Sequence, residues 1–142
     1  MKKQTIIILI LLIAIFLVVA FAVVQNIQKE RKLENYNHQY EQYQDKLIYG
    51  TDVASLINQA VNSNEKNNVE KDENGYYIQN NSNSVKIFVK LQEEGENFPM
   101  ERIFKIGITE FVKNFNIETF KCTQINYHEQ THKVSEIYFE VI

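Results

Sequence analysis

The stretch Glu118–Ile142, "ETFKCTQINYHEQTHKVSEIYFEVI", decides the fold of this chain. It is rich in Thr, Tyr, Ile, Phe and Val, whose branched and aromatic side chains suit a pleated surface. Ile137, Phe139 and Val141 alternate with more polar neighbours, the period of a strand with one buried face. This pattern predicts two strands joined by a short turn, with His128–Lys133 at the turn. A helix through Val134, Ile137, Tyr138 and Val141 has acceptable spacing and stays open at this level.

The distinction matters because "HEQTH", His128 to His132, contains H-E-x-x-H. On a helix, that spacing aims two imidazoles at one zinc ion and leaves Glu129 as general base beside a metal-bound water. A third protein ligand is also required. Ten residues follow His132 in this sequence, fewer than a downstream helix carrying a third Glu would need. Glu136 and Glu140 continue the four-residue series, but a straight helix of four such residues would not wrap a metal. In a hairpin, the two imidazoles instead flank a solvated loop. No catalytic, cofactor-binding or metal-ligating residue is therefore assigned, and no cofactor is expected. A zinc-dependent hydrolase built on His128, Glu129 and His132 is the alternative.

Moving outward, Met100, Ile103, Phe104, Gly107, Ile108, Phe111, Val112 and Phe115 share one helical face, with Pro99 in the first turn. Gly107 within that helix predicts close approach of its backbone to a sheet. "EEGENFP" before it reads as a loop. Val85, Ile87, Val89 and Leu91 alternate with Lys86, Phe88, Lys90 and Gln92, giving a strand. "NSNS" makes a turn, and Asn74-Gly75 signals a hairpin between "NNVEK" and "YYIQN". Val53, Leu56, Ile57, Ala60 and Val61 repeat at helical spacing after Gly50, with Thr51 or Asp52 as cap, and "NSNEKNN" ends that helix.

At the other end stands "TIIILILLIAIFLVVAFAVV", Thr5 to Val24, with no charge. Twenty residues at about 1.5 Å each cover about 30 Å, the thickness of the bilayer's hydrocarbon core. The run has no polar face, unlike a core helix of a soluble domain. Lys2-Lys3 and Ala20-Phe21-Ala22 also fit a signal peptide cleaved after Ala22, but the apolar run exceeds the usual length and continues through Val24. The expectation is an uncleaved anchor. Basic residues on the two flanks nearly balance, and the short basic head favours an N terminus inside the cell.

No Gly or Pro interrupts the chain before Gly50, so one helix can continue beyond the membrane. Leu33, Tyr36, Tyr40, Tyr43 and Leu47 form a stripe on it. The stripe fits either packing on the chain's own folded domain or self-association. His38 lies among polar residues of this stalk.

Without Lys2 and Lys3, the sequence holds 13 basic and 18 acidic residues. With no Lys/Arg-rich block, nucleic acid is not expected as a partner. One cysteine, Cys122, excludes an intrachain disulfide or a four-cysteine zinc site. No phosphate-binding Gly loop, G-x-S-x-G or C-x-x-C occurs, and no two loop carboxylates are marked as a catalytic pair.

An N-terminal helix that is apolar in its first half and amphipathic in its second, followed by a small α+β head, resembles type IV pilins and pseudopilins. "GTDVASLINQAV", Gly50 to Val61, is similar to the segment after the long helix in some Gram-positive pilin-like proteins. The resemblance implies an apolar half that anchors the subunit and later packs in a filament core. The Gly before the pilin processing site and the Glu at the fifth mature position are missing, so prepilin-type processing is not implied.

The expected organisation is a cytoplasmic tail (1–4), a transmembrane helix (5–24), an amphipathic stalk helix (25–49) and an extracytoplasmic domain (50–142). The fold class is α+β, a small antiparallel sheet packed with two helices. The expected role is a single-pass, non-catalytic component of a cell-envelope assembly. Its partners would be the lipid bilayer and another membrane or envelope protein, or a second copy through the stalk.

Overall fold

A computed structural model describes residues 2–92 and 95–142. The chain divides into two compact units, Met1–Asn35 and Tyr36–Ile142. The first consists of most of helix α1 (Lys3–Glu41). Its large apolar side chains are exposed along the whole run from Ile6 to Val24. It is long and apolar enough to cross a membrane, compatible with a transmembrane or signal-anchor segment.

The second unit is α+β. It contains the end of α1, then β1 (Leu47–Tyr49), α2 (Gly50–Lys66), β2 (Lys86–Lys90), β3 (Asn97–Pro99), α3 (Met100–Ile106), α4 (Ile108–Phe115), β4 (Thr119–Tyr127) and β5 (Val134–Val141). The five strands form one sheet in the order β1-β4-β5-β2-β3. All pairings are antiparallel except β2 with β5, which run parallel. The sheet is thus mostly, not wholly, antiparallel. The long connection from β2 through two helices and β4 permits that parallel neighbour.

The C-terminal stretch is a hairpin, as its alternation predicts. Ile137 and Phe139 are buried with Phe120, Cys122, Ile87, Val89 and Ile48 in one core. The opposite face carries Phe88 stacked on Tyr138 at 4.8 Å and Lys90 bonded to Glu140 at 2.9 Å. These pairs sit in register across the parallel β2–β5 contact.

Several local expectations are corrected. The stalk helix ends at Glu41, not at residue 49. Asp45 turns the chain with φ 59°, and Leu47–Tyr49 pairs with β4 as an edge strand. Leu47 is consequently 62% exposed and leaves the proposed stripe. Tyr36, Tyr40 and Tyr43 pack on the second unit's own core.

Helix α2 buries Val53, Leu56, Ile57, Ala60 and Val61 as their spacing requires. Asp52 does not cap from outside; its Oδ2 accepts the Tyr49 N–H at 3.1 Å. Gly50 is needed because a Cβ there would collide with the Phe115 carbonyl. The helix also continues through Asn62–Lys66, beyond its expected end, because Asn64 is fully buried and bonded to Val85.

The Asn74-Gly75 turn forms, with Gly75 at φ 78° and Asp72 Oδ1 accepting the N–H groups of Asn74 and Tyr76. Its flanks make one isolated bridge, Lys71 with Tyr77, and no strands. "EEGENFP" contains β3 at its end. Glu93 and Glu94 of that expected loop lie outside the described residues.

The helix expected from Pro99 to Phe115 is two helices broken at Gly107. Gly107 has φ 111° and open space where a Cβ would stand, so backbone conformation, not close approach to the sheet, demands glycine. Met100, Ile103 and Phe111 are buried, whereas Phe104 is 46% exposed and leaves the predicted face.

Candidate functional site

The H-E-x-x-H residues lie in the β4–β5 turn, not on a helix. The His128 N–H donates to Lys133 O at 2.8 Å, and the His132 N–H to His128 O at 2.9 Å. His132 is exposed, with φ 55°. His128 is only 5% exposed, so the expectation of two imidazoles in a solvated loop holds for His132 alone. Burial of His128 follows from a specific partner: Nε2 lies 2.7 Å from Ser84 O. A carbonyl only accepts, so Nε2 carries a proton and donates it to Ser84 O.

Two further contacts hold the turn. Asn37 Nδ2 donates to His132 O at 2.9 Å, and Asn37 Oδ1 accepts the Val134 N–H at 2.9 Å. Thr131 Oγ1 donates to Ser82 O at 2.7 Å. The end of α1, the β4–β5 turn and the Asn80–Ser84 segment therefore meet through hydrogen bonds. Asn80 organises that last segment, its Oδ1 accepting the N–H groups of Ser82, Asn83 and Ser84.

Beside the turn opens a cleft of about 700 Å³, between Gln79–Asn81 on one side and the β4–β5 end on the other. Asn126, Tyr127, His128 and Gln130 contribute to its wall, as do Glu129 and Glu136. Among the described residues, no Lys or Arg lines it. Tyr127 is 43% exposed, and its hydroxyl donates to Glu41 Oε1 at 2.8 Å. Burial and that carboxylate push the Tyr127 phenol up to about 12.

A second cleft, about 490 Å³, lies between α2, the Lys71–Tyr77 turn and α3. Glu101 is 4% exposed; its Oε1 accepts the Tyr77 N–H at 3.0 Å and lies 3.9 Å from Lys86 Nζ. Its Oε2 is sealed from solvent without a protein partner. Tyr77 donates its hydroxyl to Glu65 at 2.6 Å, and Lys71 bonds the same oxygen at 2.6 Å. The Lys71 bond, with that of Tyr77, holds the Glu65 carboxyl below its ordinary range.

Cys122 is buried, and burial pushes its thiol above the ordinary value, which keeps it protonated. Among the described residues, no group of three or more His, Cys, Asp or Glu side chains is placed to hold a metal ion. Sequence reading missed Asn37, Asn64 and Glu101. Asn64 carried a signal, since it shares the stripe of Ile57, Ala60 and Val61, where a polar residue requires a partner. Neither Asn37 nor Glu101 stands out by spacing.

No protein-family model matches the chain, nor does any curated protein or solved structure.

Proposed function

We propose that this is a single-pass membrane protein displaying a non-catalytic α+β domain outside the cytoplasm, as a structural or interaction component of a cell-envelope assembly. The supporting observation is α1, whose run from Thr5 to Val24 has apolar side chains exposed all round. Burying about 20 such residues in hydrocarbon satisfies them, whereas water does not. A pilin-like subunit is the specific form, supported by the order of long apolar helix and small α+β domain.

Topology tests this role. The full chain, produced in a bacterial host, should stay with membranes after carbonate extraction, and protease added to spheroplasts should remove the second unit. A second unit protected from external protease but digested after lysis would reverse the orientation. A soluble product beginning at Val23 would replace the anchor with a cleaved signal.

A further inference from the structure

We propose that the cleft at the β4–β5 turn is a binding site for a neutral saccharide. The inference stands on the cleft's chemistry and does not depend on which side of a membrane it faces.

Charge removes the first class of ligand. A phosphate, sulfate or carboxylate needs a cation or a cluster of free N–H donors, and the described wall holds no Lys or Arg. Apolarity removes the second, because Ile125 is the one aliphatic side chain in that wall. What remains is rich in side-chain amides: Gln79, Asn80, Asn81, Asn126 and Gln130. A free amide offers donors and an acceptor in one plane, matching adjacent hydroxyls on a sugar ring, which also donate and accept.

The amides divide into fixed and available groups. Gln79 is held in place: Nε2 donates to Ser135 O at 3.1 Å, and Oε1 accepts the Ser84 hydroxyl at 2.8 Å. Asn126 Nδ2 donates to Glu136 Oε2 at 2.8 Å. Asn81 and Gln130 are exposed, and neither side chain bonds another described residue, so both can turn to a ligand.

His128 makes this a built site and not a surface furrow. It is buried, its proton is committed to Ser84 O, and its Nδ1 has no hydrogen-bond partner among the described residues. A sugar hydroxyl both donates and accepts, so it can pair with that nitrogen. At the rim, the half-exposed ring of Tyr127, steadied through its hydroxyl by Glu41, offers a flat face for the C–H side of a pyranose. The volume of about 700 Å³ falls in the range of small-molecule sites. A cationic peptide is the competing ligand. Glu136 Oε2 already accepts from both Asn126 and Tyr138, so such a peptide would rely chiefly on the exposed Glu129.

The test uses the full chain in a zwitterionic detergent free of sugar groups. It is titrated with chitohexaose, cellohexaose and maltohexaose, and separately with oligolysine, while side-chain amide resonances are followed by NMR. At least one saccharide should saturate with a Kd of about 1 mM or tighter. Asn81→Ala and Gln130→Ala should each weaken it about 3-fold or more without moving the backbone spectrum. Tyr127→Phe, which keeps the ring, should still bind. Absence of saturation with every saccharide overturns the proposal. So does saturation by oligolysine alone, or saccharide binding that both amide variants leave unchanged.

Discussion

The Asn64 side chain bonds both backbone groups of Val85: Nδ2 donates to the carbonyl at 2.7 Å, and Oδ1 accepts the N–H at 2.9 Å. One amide thereby stands in for a neighbouring strand at the residue just before β2. Both ends of the contact are buried. Removing it strands two backbone groups away from water, at about 1–3 kcal/mol each.

Asn64→Ala should therefore destabilise the second unit by about 2–5 kcal/mol in denaturant unfolding. Asn62→Ala, exposed on the same helix, should change stability by less than about 0.5 kcal/mol. Equal losses at the two positions would remove the strand-substitute role from Asn64.

The same contact explains why part of the fold was legible in sequence and part was not. Strands β2, β4 and β5 and the apolar face of α2 follow a period that one residue type after another repeats, so Ile87, Val89, Ile137 and Phe139 could be placed without coordinates. Helix ends are decided by single tertiary bonds. Asn62–Lys66 has the composition of a turn, yet Asn64 finds its partner 21 residues away and the helix continues. Gly107 was visible as an exception but ambiguous, since a glycine serves either close approach or positive φ. The cleft is less legible still. Gln79, Asn126 and Gln130 come together only because the β4–β5 turn folds beside the Asn80–Ser84 segment.

Alkaline pH should find a weakness at Tyr77. Burial and the bond to Glu65 raise its phenol to about 12, against an ordinary value near 10. The folded state thus holds this proton more tightly than the unfolded chain. Its contribution is fully present below about pH 10 and is lost as pH rises toward about 12. Unfolding midpoints measured across that window should fall. In Tyr77→Phe, the fall should be shallower, with Tyr36, Tyr40, Tyr127 and Tyr138, whose phenols are also raised, contributing to the remainder. An identical slope in wild type and Tyr77→Phe would place the alkaline sensitivity elsewhere.

His128 and His132 should behave as different residues. The imidazole of His128 fills a buried position and satisfies Ser84 O, so His128→Ala leaves an orphaned carbonyl and a void. About 1–3 kcal/mol should be lost. His132 is exposed and sits at φ 55°, a conformation glycine adopts at no steric cost. His132→Gly should accordingly leave the melting temperature nearly unchanged. A zinc centre would impose the opposite pattern, because two ligands of one metal fail together. Metal analysis of the dialysed full chain completes the comparison, with no stoichiometric zinc expected. One equivalent of zinc that vanishes in both single variants, with matching losses of stability, would restore the H-E-x-x-H chemistry and make Glu129→Gln the next substitution to assay.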